Sequence, residues 1–273
     1  MNSLLTFLTL SVLIVHLGIL LYAVLRKQMK QTELWWFVAV IGLSAVAVAT
    51  YLLPVDAQLA GKFGRGVLLI LALIGLPGAF GSLIIEDMVE GELRRRFLMI
   101  WWGFTGIWAA LLIVAVLIAP TGNIGQPDWL MLTSNNFNLP TLVVLIGLII
   151  SAVMLPATGF YLFYRSILPE IANRALYWVI ESAVLLTGIV LLGGGNSALA
   201  ALGMIALVAV MIGAATAFTQ HRVFDIRGSV NRSLILVIVM GFTAATLFGA
   251  MYAVTGLNLN SQINGLSVLA ALA

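Results

Sequence analysis

Long apolar runs alternate with short polar segments along the whole chain. At about 18 or more residues, such a run can form an α-helix that crosses roughly 30 Å of hydrocarbon. Transmembrane β-strands are about half as long and alternate apolar with polar residues, a pattern that is absent here. The sequence therefore predicts an all-α polytopic membrane helix bundle with eight transmembrane helices and the start of a ninth. The eight runs cover residues 4–25, 35–53, 67–85, 97–119, 141–163, 175–192, 198–218 and 234–254, and the ninth begins near Leu266.

The basic residues between these runs fall mainly on one side of the predicted membrane. Of the 13 Lys and Arg residues, only Lys62 and Arg65 lie on the other side. Because basic loops stay in the cytoplasm, the N-terminus is expected outside, and the chain is expected to be a multi-pass protein of the bacterial cytoplasmic (inner) membrane. The first run lacks a basic start and a small-residue cleavage site, so it is expected to remain as a signal anchor.

This topology also bounds the partners. The formal net charge of +3 follows from the basic cytoplasmic loops, so it does not imply nucleic acid. The expected partners are the lipid bilayer and either further copies of this chain or other membrane subunits.

Residue types that several chemistries require are missing. The chain has no Cys, which excludes disulfides and thiolate metal sites. Its lysines, at 27, 30 and 62, lie outside the apolar runs, so an intramembrane Schiff base is excluded as well. No phosphate loop, zinc pair or serine triad is visible. The sequence predicts no catalytic residues, no metal and no cofactor, and leaves lipid or pigment binding open.

Two ionisable residues lie deep within predicted helices. Glu181 stands seven residues, or roughly 10 Å, after Arg174, and His16 stands ten residues before Arg26. Since such groups are expensive in a membrane and often functional, both are candidate ligand-pocket residues. The alternatives are a Glu181 that holds two helices together and a buried neutral His16. Haem ligation by His16 would need a second histidine at the same depth, and His221 lies at another depth.

Acids and bases are concentrated after the third run, at residues 86–96. Glu90 with Arg94, and Glu92 with Arg96, have the i,i+4 order that supports a helix. This pattern predicts a solvated segment that neutralises itself. The alternative is a pair of acids that takes a cation or a proton.

Two further patterns concern anchoring and packing. Tryptophans near the inner ends of helices 2 and 4 are predicted to lie at the membrane interface, namely Trp35, Trp36, Trp101 and Trp102. Helix 8 carries a stripe of small residues that lets another helix approach closely, namely Gly241, Ala245, Gly249 and Ala253. Packing inside the bundle and dimerisation fit this stripe equally well.

The most distinctive polar stretch follows the seventh run. It reads TQHRVFDIR at residues 219–227 and VNRSL at residues 230–234. This stretch resembles the end of the seven-helix N-terminal membrane input region of bacterial sensor histidine kinases and related signalling proteins. The layout is similar too, with an outside N-terminus, a basic turn after helix 1 and a Trp pair opening helix 2.

The resemblance implies a seven-helix bundle over residues 1–222, then a junction and a C-terminal membrane hairpin over residues 223–273. It implies that a signal leaves the bundle through the junction, with Asp225, Arg227 and Arg232 as its key residues. In that family a ninth helix leads into cytoplasmic output domains. This chain is therefore expected to be part of a longer protein or a membrane domain reused without them.

Three functions stay open at this point. The first is a sensory input domain that passes a helix repacking to the cytoplasmic side. The second is a structural or accessory subunit of a larger respiratory or photosynthetic membrane complex. The third is a small-molecule or lipid transporter, which Glu181 supports and the lack of an internal repeat opposes.

Overall fold

A computed structural model describes residues 3–26, 30–52, 65–118, 139–166, 168–193 and 197–219. Within these ranges the protein is all-helical, and no strand occurs. Each of the first seven apolar runs corresponds to one helix, as the sequence predicts. The helices are α1 (Ser3–Arg26), α2 (Gln31–Ala49), α3 (Arg65–Met88), α4 (Gly91–Ile118), α5 (Leu139–Arg165), α6 (Pro169–Gly193) and α7 (Ser197–Thr219), with a short 3-10 turn at Thr50–Leu52.

All seven described helices are long and apolar enough to cross a membrane. The chain therefore has the features of a multi-pass membrane protein. The predicted eighth helix and the start of a ninth lie outside the described residues, so the structure does not support a count above seven. The domain boundary predicted at residues 222–223 also lies outside them.

The helices pack in a ring that follows their order in the chain. Each contacts its neighbours in sequence, and α1 also packs against α7, which closes the ring. Helix α3 additionally contacts α5 and α6, and it is the most buried of the seven. The residues packed at the centre include Trp178 of α6 and Phe80 of α3, both fully buried.

The outer surface of the bundle is strongly apolar. Large side chains such as Phe7, Ile14 and Leu25 of α1 and Ile107 of α4 are more than 60% exposed. In water this surface would be unfavourable by roughly 25 cal/mol for each Å² of apolar area. Hydrocarbon removes that penalty, so the surface fits a helix bundle surrounded by lipid.

Two tryptophans of α4 fill notches that glycines leave on neighbouring helices. The Trp101 indole packs where a side chain at Gly81 of α3 would stand, and it donates a hydrogen bond to the Gly78 carbonyl at 2.7 Å. The Trp108 indole packs in the same way against Gly147 of α5. Trp101 is therefore a buried packing residue, and its predicted role as an interfacial anchor is wrong. The prediction used its place along the helix, whereas burial depends on which neighbour it faces.

The helix bundle has a basic end, where most Lys and Arg residues lie, and an opposite end. Helices α1, α3, α5 and α7 finish at the basic end, where α2, α4 and α6 begin. Ion pairs and a hydrogen bond between side chains and backbone of α3, α4, α6 and α7 show that these termini lie together.

Candidate functional site

A cluster of polar groups centred on Asp87 lies at the basic end of the bundle and joins three helices. An Arg174 Nη2 of α6 lies 2.6 Å from one Asp87 carboxylate oxygen, and the Trp178 indole donates to the other at 2.8 Å. The Arg174 guanidinium also donates to the Ala217 carbonyl of α7 at 3.2 Å. We call Asp87, Arg174, Trp178 and the Ala217 carbonyl the Asp87 cluster. It connects α3, α6 and α7 through charge-assisted hydrogen bonds, which are the stronger kind.

Local helix geometry explains why these side chains meet. Arg174 and Trp178 are four residues apart, so they lie on the same face of α6. Asp87 lies in the last turn of α3, and Phe80 lies seven residues earlier on the same face. The Phe80 and Trp178 rings meet edge to face with their centroids 5.6 Å apart. This aromatic pair forms an apolar floor beneath the ion pair.

The two charges of the pair differ in their access to solvent. The Asp87 side chain is 3% exposed, whereas the Arg174 side chain is 32% exposed. A buried carboxylate needs its partners, because an uncompensated buried charge is strongly destabilising. Arg174 is therefore the member of the pair that lies nearer the surface of the basic end.

The structure confirms that acids and bases pair within residues 86–96 and corrects two details of that prediction, the solvation of Asp87 and the partner of Arg94. Asp87 is buried, and Arg94 pairs with Glu86 of α3 at 3.2 Å and not with Glu90. The predicted Glu92–Arg96 pair is present at 3.7 Å, with both side chains about two-thirds exposed. Gly91 begins α4 at a φ of 66°, a left-handed conformation that glycine adopts readily. The chain reverses there, so the first turn of α4 lies beside the last turn of α3.

Glu181 lies in the middle of α6 and faces α7. It is buried, and the Tyr177 hydroxyl one turn earlier hydrogen-bonds its carboxylate. The carboxylate packs directly on Gly213 of α7, where a Cβ would overlap it. Glu181 thus fills the space that the missing side chain of Gly213 leaves between the two helices.

His16 lies in a different part of the bundle. It is buried on α1, with its Nδ1 2.8 Å from the Val12 carbonyl and its Nε2 2.7 Å from the Ser44 hydroxyl of α2. Because a carbonyl only accepts, Nδ1 carries the proton, and in the neutral ring Nε2 accepts from Ser44. The described contacts of His16 thus concern α1 and α2, whereas those of Glu181 concern α6 and α7. The structure does not join the two predicted pocket residues in one contact network.

We expect Ser44→Ala to destabilise the protein by about 1–2 kcal/mol, since it leaves a buried His16 nitrogen without its donor. The matched control is Ser11→Ala on α1, whose exposed hydroxyl donates only to the Phe7 carbonyl of its own helix. That change should matter by less than about 0.5 kcal/mol. Thermal unfolding in detergent measures both variants. Equal stability of the two would contradict the bond between α1 and α2.

The remaining predicted site residues lie outside the described part of the chain. These are Asp225, Arg227 and Arg232 of the junction and Gly241, Ala245 and Gly249 of the helix 8 stripe. Across the described ranges, no three His, Asp or Glu side chains are grouped as metal ligands.

Sequence reasoning missed the Asp87 cluster. Its three side chains come from two segments, with Asp87 and Trp178 separated by 91 positions in the chain. The available signal was weak: an acid at the end of an apolar run, and an Arg–Trp pair at i,i+4 at the start of another.

Comparison with known proteins identifies no relative. No protein-family model matches this chain, and no curated protein and no solved structure matches it either. Function must therefore be argued from the contacts within the bundle.

Proposed function

We propose that this chain is the membrane sensory input domain of a signal-transduction protein. The observation that carries the proposal is the Asp87 cluster, because one buried ion pair fastens α3, α6 and α7 together at a single end of the bundle. Helix α7 is the last described helix, and the polar stretch at residues 219–234 follows it directly. In this proposal a change in the cluster moves the segment that resembles a signalling junction.

The basic end faces the cytoplasm in this proposal. Eleven of the 13 Lys and Arg residues follow helices that finish at this end, and basic loops remain on the cytoplasmic side of the bacterial inner membrane. The N-terminus is then outside. The ion pair lies near the cytoplasmic ends of its helices, where an output domain would receive the signal.

The proposed mechanism is a shift between two packings of the bundle. A ligand or partner can drive such a shift only through a different affinity for the two states. In one state Arg174 holds Asp87 and the α7 carbonyl, and in the other it turns to solvent. Glu181 offers a site at which this shift could be driven, because its carboxylate packs on Gly213 of the same helix α7.

The absence of Cys makes a direct test possible. Spin labels can be attached at Glu90→Cys and Glu170→Cys, two exposed positions at the basic end beside α3 and α6, with no background labelling. Pulsed dipolar spectroscopy of the protein in lipid nanodiscs then measures the distance between them. We expect Asp87→Asn to add a second, defined distance population, because the neutral amide weakens the hold on Arg174.

A control pair of labels at Phe7→Cys and Leu199→Cys reports on the opposite end, where α1 and α7 begin. Its distance distribution should change less than that of the first pair. A single distance at the basic end in both the parent and the Asp87→Asn protein would indicate a rigid bundle. That result would favour the accessory-subunit alternative, whereas transport in proteoliposomes that Glu181→Gln abolishes would favour a transporter.

A further inference from the structure

We propose that the basic ends of α4 and α5 bind the phosphate of an anionic phospholipid in the adjacent leaflet. The site consists of Arg165, Tyr161 and Tyr164 of α5 and Arg96 of α4, and we call it the headgroup site. It shares no residue with the Asp87 cluster, and it requires only a bilayer around the bundle. The inference therefore stands independently of the sensory function.

Arg165 is the centre of this site. Its guanidinium lies over the Tyr161 ring, 5.4 Å from the ring centroid. Arg94, Arg96 and Arg174 each form an ion pair with a carboxylate. Among the described residues, Arg165 forms no ion pair. The Tyr161 ring contacts one face of the guanidinium, and Arg165 is exposed. Such a planar group binds phosphate oxygens in a bidentate manner.

Neighbouring side chains give the site a second helix. The Phe97 ring of α4 packs on the Tyr161 ring with a centroid distance of 5.6 Å, which joins the two helices beneath Arg165. Arg96 precedes Phe97, is exposed, and pairs only loosely with the exposed Glu92. Tyr164 immediately precedes Arg165 in the chain, is exposed, and carries a phenol hydroxyl. The site therefore presents two guanidiniums and a phenol against one carboxylate.

The surroundings select a lipid as the occupant. The positions about one and three turns farther along α4, Ile100 and Ile107, are exposed and apolar. A molecule bound at Arg165 thus meets a charged end and, beside it, an apolar helix surface. An anionic phospholipid has the same order of phosphate and acyl chain, and basic pockets between transmembrane helices bind such headgroups.

The test is lipid binding by the full chain in detergent, followed by native mass spectrometry during titration with phosphatidylglycerol or phosphatidylcholine. We expect phosphatidylglycerol to bind more tightly to the parent protein. Arg165→Gln and Tyr161→Leu should each weaken that binding roughly fivefold, the effect of about one basic residue, and leave phosphatidylcholine binding unchanged.

Arg95→Gln is the matched control. Arg95 is exposed and has no ion pair among the described residues, and at 100° per residue it projects from the side of α4 opposite Phe97. Arg95→Gln removes the same charge as Arg165→Gln from the same end of the bundle but outside the headgroup site, so its effect on phosphatidylglycerol binding should be less than twofold. If Arg95→Gln and Arg165→Gln weaken phosphatidylglycerol binding equally, the binding depends on the total positive charge at this end of the bundle and not on the headgroup site. That result would overturn the proposal. Equal affinity of the parent protein for the two lipids would overturn it as well.

Discussion

Arg174→Ala is expected to destabilise the protein by about 3–5 kcal/mol, because it leaves the buried Asp87 carboxyl without its charged partner. Asp87→Ala is expected to have a smaller effect, of about 2–3 kcal/mol. The residue that this change leaves without its ion-pair partner is Arg174, which is 32% exposed and can turn to solvent. The Trp178 indole also loses its hydrogen-bond acceptor. The order of the two variants, and not only the size of each effect, tests how the pair is buried.

The double variant Asp87→Ala with Arg174→Ala adds a third expectation. It should be more stable than Arg174→Ala alone, because no uncompensated carboxylate remains. Unfolding by heat or by SDS titration in mixed micelles measures all three variants. Arg96→Ala serves as the control, since it breaks an exposed pair worth about 0.2–1 kcal/mol. If Arg174→Ala and Arg96→Ala lose similar amounts, the Asp87 pair contributes no more than a surface pair.

The seven helices could be predicted from the sequence because each depends on the apolar length of one segment. Apolar length is a local property, so it can be read from the residues of one segment without knowing which helices surround it. The position of the basic residues is local in the same sense. It correctly groups the ends of α3, α4 and α6, which the ion pairs Arg94–Glu86 and Arg174–Asp87 then join.

The candidate site could not be predicted, because it depends on which helix faces which. The i,i+4 rule pairs residues of one helix, so it assigned Arg94 to Glu90 and treated Asp87 as solvated. In the structure Glu86 and Asp87 of α3 pair with arginines of other helices, namely Arg94 of α4 and Arg174 of α6. His16 shows the same limit. Its depth was visible in the sequence, but its partner Ser44 belongs to the next helix.

The second large effect is expected at Gly203, where the backbones of α6 and α7 approach closely. A Cβ at this position would lie 2.5 Å from the Leu192 nitrogen and 2.8 Å from the Gly188 carbonyl oxygen. Both are backbone atoms, so no side-chain rotation can relieve the overlap. Gly203→Ala therefore requires the two helices to separate, and we expect it to destabilise the protein by about 1–3 kcal/mol. Close approach at small residues is a main source of association between membrane helices.

Gly103→Ala and Gly106→Ala on α4 are matched controls for this change. Both glycines are exposed in a helix, and a Cβ at either would meet nothing within 4 Å. Because alanine favours a helix over glycine by roughly 0.5–1 kcal/mol, these variants should be unchanged or slightly more stable. A neutral Gly203→Ala would show that α6 and α7 are not held at this distance.

Combining Gly203→Ala with Arg174→Ala tests whether α7 moves as one body. Gly203 and Ala217 are 14 residues apart on this helix, which corresponds to about 21 Å along its axis. Changes at such a distance normally add within about 0.5 kcal/mol. If α7 shifts as a rigid helix, Gly203→Ala already weakens the contact of Arg174 with the Ala217 carbonyl. The double variant should then lose less stability than the sum of the two single variants, by more than about 0.5 kcal/mol. Additive losses would instead confine each change to its own end of the bundle and remove the basis for a signal carried along α7.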